Sequence, residues 1–319
     1  MNNNSTSPTI KTVSLSRWYG QVIALTDISL DIGPGVTGLL GPNGAGKSTL
    51  MKILTGQLKP SNGGVLIFGQ PVWNNPNVLR RIGLCPEHDA FYEEMTARGF
   101  VTYMLRLHGF SAGDADKLAC DALEIVDLTA RRDDPIRTYS KGMRQRTKLA
   151  QAIAHSPEVL FLDEPLTGTD PVGRRRIIEL ILEQGDRGAT VVVSSHVLHE
   201  VEAMTSNILL INKGRVIADG DVFAIRDMID GHPHLIFVDA DKPRELAKLI
   251  TPFEDVISIF FDEGGIRVAT RDPGACYRRI PELALSHDIE IRRLTSPDNN
   301  LAAVFRYLTE ATHTQKAGT

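Results

Sequence analysis

No stretch of this sequence stays apolar for the roughly 18 residues a membrane-crossing helix requires, so no transmembrane span is expected. A basic excess is also missing. Lys and Arg number 35 against 39 Asp and Glu, a formal net charge of −4, which argues against a general nucleic-acid binder. The start, Met-Asn-Asn-Asn-Ser-Thr-Ser-Pro, has neither the basic patch nor the apolar run of a signal peptide, so 1–10 is expected to be a disordered tail. Cysteines are only three, and Cys85, Cys120 and Cys276 lack metal-ligand spacing; reduced, partly buried thiols are the expectation. Internal repeats and low-complexity tracts are absent. The expectation is a soluble, cytoplasmic chain, with any membrane part on another polypeptide.

What is present is an alternation of short apolar runs and helical patterns from about Val22 to Ala218, which predicts an α/β domain with a largely parallel sheet. Val36–Leu40, Ile82–Cys85, Val159–Leu162 and Thr190–Ser194 read as buried strands. Between the second and third, about 93–138, apolar residues at helical spacing (Met104, Leu105, Leu107; Leu118, Leu123, Val126, Leu128) predict an inserted helical subdomain. Ile208–Asn212 and Val216–Ala218 flank Lys213-Gly214-Arg215 as a hairpin. After Asp230-Gly231-His232-Pro233 the order becomes strand–helix–strand–strand–helix–strand, the ferredoxin-like arrangement, closed by an amphipathic segment Leu301–Leu308. The expected division is therefore 11–230 and a smaller α+β domain over 231–319.

Gly41-Pro42-Asn43-Gly44-Ala45-Gly46-Lys47-Ser48-Thr49 fits G-x-x-x-x-G-K-[ST], with an apolar strand before it and a helical pattern after it. Glycines let the backbone wrap phosphate so that successive N–H groups point inward at a helix N-terminus. Lys47 supplies a point charge for the β- and γ-phosphates and Ser48 a hydroxyl for Mg²⁺. Val159–Leu162 ends in Asp163 and Glu164, about 115 residues after the loop. An acid there suits the second Mg²⁺ support, and Glu164, pointing elsewhere, suits a general base toward the attacking water. Ser140 reads as the N-cap of a helix running through Leu149, Ala150 and Ile153, where free N–H groups also make an anion site; mere capping is the bland alternative. His196, just past a buried strand, is by itself as readily structural as catalytic.

With these residues in order, the chain resembles the nucleotide-binding subunits of ABC transporters over at least Val22–Gly220. The resemblance implies that Tyr19 stacks on adenine, where an ordinary half-buried aromatic is the alternative. It implies that Ser140 and Gly142 contact the γ-phosphate held by a second subunit in an ATP-bound dimer, and that Asp170 is the loop acid crossing that interface. His196 becomes the switch residue hydrogen-bonded to the γ-phosphate and attacking water. Tyr139-Ser140-Lys141-Gly142-Met143 is similar to the exporter branch, in which an ATPase with ATP and Mg²⁺ serves a separately encoded permease at the cytoplasmic face of the membrane. Drugs, antibiotics, lipids or polysaccharides are that branch's cargo. The C-terminal extension is similar to others in the branch, with dimer support, regulation or inert packing all open.

One position departs from the family. Where it normally has a glutamine bound to Mg²⁺, this chain has Glu87 in Gly83-Leu84-Cys85-Pro86-Glu87-His88-Asp89. A carboxylate can still ligate Mg²⁺ but adds negative charge near Glu164, so Glu87 is either a metal-side ligand that alters rate or coupling, or a tolerated near-isostere. His88 and Asp89 lack the further ligands of a separate metal site. Of the competing classes, a GTPase lacks its base-reading acid, because Arg215 stands where Asn-Lys-x-Asp needs a carboxylate. Non-transport ABC ATPases of the ribosome usually carry two motif sets, and those of DNA repair long coiled coils; this chain has one set and no sustained heptads. A binding-only module would not need Asp163, Glu164 and His196.

Overall fold

The computed structural model describes residues 8–227, 229, 233–298 and 300–314. Most of the expected tail, 1–7, and the heart of the expected boundary, 230–232, lie outside the described residues. The end of the tail departs from expectation: Thr9 and Ile10 are buried, and Ile10 opens a strand.

In chain order the elements begin β1 (Ile10–Tyr19), β2 (Val22–Ile32), β3 (Gly35–Leu40), α1 (Lys47–Leu54), β4 (Asn62–Ile67), β5 (Gln70–Pro71), α2 (Pro76–Leu79) and β6 (Ile82–Cys85). The helices α3 (Ala97–Leu107) and α4 (Ala112–Ile125) follow, then α5 (Lys141–Ile153), β7 (Val159–Asp163), α6 (Pro171–Asp186), β8 (Thr190–Ser195), α7 (Leu198–Glu202), β9 (Asn207–Asn212) and β10 (Arg215–Asp221). The remainder is α8 (Val222–Asp227), β11 (His234–Ala240), α9 (Pro243–Ile250), β12 (Val256–Asp262), β13 (Gly265–Thr270), α10 (Pro273–Ser286), β14 (Ile291–Thr295) and α11 (Leu301–Thr314).

The chain divides into two compact units between Gly220 and Asp221, upstream of the boundary expected near 231. In the first, a six-stranded sheet of order β10-β9-β3-β8-β7-β6 pairs in parallel from β9 through β3, β8 and β7 to β6. Because successive side chains of a strand face opposite ways, β7 feeds two cores. Leu160 and Leu162 join Val191, Val193 and the helical stretch, whereas Val159 and Phe161 join Leu39, Leu50 and Leu209. Burial on both faces explains why these strands read as unbroken apolar runs. A second, antiparallel sheet, β2-β1-β4-β5, covers the core on the α1 side and has no counterpart among the expected strands.

The later unit contains a sheet of order β12-β13-β11-β14, antiparallel throughout, with α9 and α10 as its crossovers. That is the ferredoxin-like order the sequence predicts. α8 belongs here for a physical reason. Its Arg226 is fully buried, and its Nη2 donates to Asp298 Oδ2 at 2.5 Å and to the Pro233 carbonyl at 3.1 Å. Among the described residues no helix is long and apolar enough to cross a membrane.

Removing one partner of a buried ion pair strands the other charge, at about 3–5 kcal/mol. Arg226→Ala is therefore expected to lower the stability of the C-terminal unit by about that amount, read as an earlier transition in urea denaturation of the full chain.

Candidate functional site

Parallel pairing brings four strand ends to one edge. Register aligns Cys85 with Leu162, Asp163 with Ser194, and Leu40 with Ser195. The segments that leave those ends are the loop from Gly41, the Glu87 turn, Asp163-Glu164 and His196. In open α/β sheets ligands bind just outside such carboxyl ends. Here that crevice is a cleft of about 440 Å³ lined by residues 43–49, Glu87, Asp163, Glu164, Thr167 and His196, together with Val22–Ala24.

The loop is built for close approach. Gly46 has φ 111°, and a Cβ on it would stand 2.9 Å from the Ala24 carbonyl oxygen. It is also the N-cap of α1 and makes no side-chain cap, unlike Thr96, Ser111, Ser140 and Asp170 on their helices. The first-turn amides of α1 thus have no capping side chain across them, at the positive end of the helix dipole. The buried Lys47 ammonium donates to the Gly41 carbonyl at 2.6 Å and the Pro42 carbonyl at 3.2 Å. Burial pushes its pKa below the ordinary lysine value even though Glu164, Asp163 and Glu87 pull upward.

Asp163 and Glu164 diverge because Glu164 adopts φ 52°, a left-handed conformation that costs a non-glycine residue about 1–3 kcal/mol. Ser194 holds the bend. Its hydroxyl donates to Asp163 Oδ1 and accepts from the Glu164 amide at 3.1 Å. The Glu164 carboxylate, little exposed, lies 2.9 Å through both oxygens from His196 Nδ1. A carboxylate only accepts, so Nδ1 carries the proton and Nε2 is left to accept or, once protonated, to donate.

Ser48, Asp163 and Glu87 line the same cleft, and each side chain carries hard oxygen donors of the kind Mg²⁺ takes. Asp89 is committed elsewhere, 3.1 Å from the buried Lys148 ammonium, and that ammonium also donates to the Glu87 carbonyl at 2.8 Å. The Glu87 turn is thereby tied to α5.

Six expected residues do not line the cleft: Gly41 and Pro42, whose carbonyls instead accept from the Lys47 ammonium, and four that stand on other elements. Ser140 caps α5, accepting from the Met143 amide at 3.3 Å, and Asp170 caps α6, accepting from the Gly173 amide at 2.7 Å. Gly142 lies beside the turn before Asp170: a Cβ on it would be 3.6 Å from the Gly168 carbonyl oxygen. Tyr19 ends β1, half exposed, with the Arg17 guanidinium 4.7 Å from its ring centroid. Ser194, Thr167 and Lys148 escaped the sequence analysis. Only the pairing of β7 with β8 identifies Ser194, because nothing in one strand's sequence names its neighbour.

Residues 25–167 match the family model described as ABC transporter. The daunorubicin/doxorubicin resistance ATP-binding protein of Streptomyces peucetius is 33% identical over 312 residues, 96% of this chain and 94% of that protein. The Nod factor export ATP-binding protein I of Sinorhizobium fredii is 31% identical over 94% of this chain and 85% of its own length. A solved ATP-binding subunit of an ABC transporter superposes with a TM-score of 0.64 at 28% identity, covering 68% of this chain and 92% of that one. Likeness to the two curated relatives therefore reaches into the C-terminal unit.

Ser194→Ala removes the hydroxyl that joins Asp163 to the Glu164 amide. It is expected to lower the rate of ATP hydrolysis about tenfold to a hundredfold while nucleotide binding persists, measured by steady-state turnover alongside equilibrium nucleotide titration.

Proposed function

The chain belongs to the family of ABC transporter ATP-binding subunits, and on that footing we propose that its ATP hydrolysis drives export through a permease carried on a separate chain. It is an ATPase. The observation that carries its chemistry is the Glu164 carboxylate held 2.9 Å from His196 Nδ1 beside the Gly41–Thr49 loop. In this proposal Glu164 takes the proton of the attacking water, and His196, oriented by Glu164, hydrogen-bonds the γ-phosphate and that water. Lys47 and the loop amides hold the phosphates, and Tyr19 stacks on the adenine. Ser48, Asp163 and Glu87 hold Mg²⁺, which when bound neutralises charge on the β- and γ-phosphates.

Ser140, Gly142 and Asp170 stand away from their own cleft, which supports their use in the cleft of a second subunit. Two ATP molecules would then be enclosed in a head-to-tail dimer, whose closing and opening the 93–138 helices pass to the permease. Export is supported by the two relatives that span almost the whole chain, one named for drug resistance and the other for export. The proposed location is the cytoplasmic face of the membrane, on the permease.

Glu164→Gln keeps the shape of the side chain and removes the base. It is expected to cut turnover at least about a hundredfold and to trap an ATP-dependent dimer, seen as a doubling of mass by light scattering; a variant that stays monomeric with MgATP contradicts the two-subunit site.

Glu87→Gln removes one negative charge beside Lys47 and the other two carboxylates. A changed turnover, or a changed response to the permease, is expected. Identical kinetics with and without the permease would reduce Glu87 to an isostere.

A further inference from the structure

A buried carboxylate joins the Asp170 loop to the strand end that carries His196. Glu200 on α7 is only 7% exposed. Its Oε2 accepts from the Ser195 hydroxyl at 3.1 Å, and that hydroxyl in turn accepts from the Val197 amide at 3.0 Å. Glu200 therefore fixes the backbone on both sides of His196. Its other oxygen, Oε1, faces Arg174 Nη1 at 3.5 Å. Arg174 lies in the first turn of α6, where its amide donates to the Asp170 carbonyl at 2.8 Å. The connection is continuous: Asp170, Arg174, Glu200, Ser195, His196, Glu164.

Two details set this apart from ordinary packing. Ion pairs are a poor source of net stability when desolvated, so a carboxylate this buried with one loose cationic partner is not explained by folding energy. The Arg174 fork is also underused: Nε is buried without a hydrogen-bond partner, and its contact with Glu200 is longer than the 2.7–2.9 Å usual for a charged pair. A shift of α6 by about 1 Å would turn one long contact into a two-toothed pair. Glu200 would follow, taking Ser195 and the His196 backbone with it.

We propose that Glu200 is a positioning residue, which couples the placement of the Asp170 loop to the backbone on either side of His196 and so holds the imidazole in its contact with Glu164. The inference rests on the proposed role of Asp170 at a second subunit. It adds a link within one chain: docking of the loop on the partner would be transmitted to the histidine in its own cleft.

The test uses the full chain with MgATP. Glu200→Gln keeps an oxygen for the Ser195 hydroxyl and removes the charge that attracts Arg174. The expected result is a kcat lower by about tenfold to a hundredfold, with KM for ATP within about twofold. The unfolding midpoint should move by less than about 4 °C. Arg174→Ala should show the same split, the double variant should be no slower than the slower single, and Arg174→Lys should recover most of the rate. Wild-type kcat in Glu200→Gln or Arg174→Ala, or losses that multiply in the double variant, would overturn the proposal, as would a parallel decline of kcat, KM and melting temperature. If Glu200→Gln does not fold, the partly exposed Arg174 variants decide alone. Failure of Glu164→Gln to dimerise ends the two-subunit reading itself; a dimerising Glu164→Gln with a fully active Glu200→Gln ends only this inference.

Discussion

Parallel pairing of β3, β8, β7 and β6 in one register is the constraint on which the cleft depends. The pairings Asp163 with Ser194 and Leu40 with Ser195 fix where each strand stops relative to its neighbours. A one-residue slip of β7 would turn Leu160 and Leu162 toward the wrong core and withdraw Asp163 from Ser194. The register is in turn enforced from both faces, since Val159 and Phe161 serve one core and Leu160 and Leu162 the other. Packing far from the cleft therefore sets the spacing of its carboxylates. This is how an apolar strand positions chemistry without contributing a reactive atom.

At the cleft the same register has to accommodate two adjacent acids with different tasks. A regular strand would send Asp163 and Glu164 to opposite faces, one of them into a core. The left-handed turn at Glu164 ends the strand at Asp163 and brings both side chains to the cleft instead. Its strain is offset by two hydrogen bonds from the Glu164 amide, to the Ser194 hydroxyl and carbonyl. Ser194 is thus required by the backbone geometry as well as by the carboxylate it contacts.

Legibility in the sequence followed the range of the interactions involved. The parallel strands were readable because burial on both faces leaves unbroken apolar runs, and the loop because phosphate binding demands glycines at fixed spacing. The C-terminal strand and helix order was readable for a related reason: each element is short and bounded by turn residues. The antiparallel β2-β1-β4-β5 sheet was missed. β1 carries Ser14 at φ 44° and irregular pairing with β2, which break its alternation, and its partner β4 holds Gly63 and Gly64. Ile10 was assigned to a tail because its pairing with Ile32 and Ile67 is contributed by strands far along the chain. Glu200, Arg174 and Ser194 were illegible on the same ground, each being defined by a partner on another element.

The electrostatics of the cleft bear on the one departure from family pattern. Lys47 is set against Glu87, Asp163 and Glu164 there, a formal charge of −2 with His196 neutral, where a glutamine at 87 would leave −1. A triphosphate is itself an anion, so the added carboxylate works against the loop amides and Lys47 unless a cation intervenes. On the proposed assignment of Glu87 to Mg²⁺, the extra charge tightens the hold on the metal and makes triphosphate binding depend more strongly on it. After cleavage the same charge repels the departing anions, so its effect falls on product release as well as on the chemical step. On that assignment, a substitution that changes one atom of the side chain would shift the balance between holding nucleotide and letting it go, which is the balance an ATP-driven motor runs on.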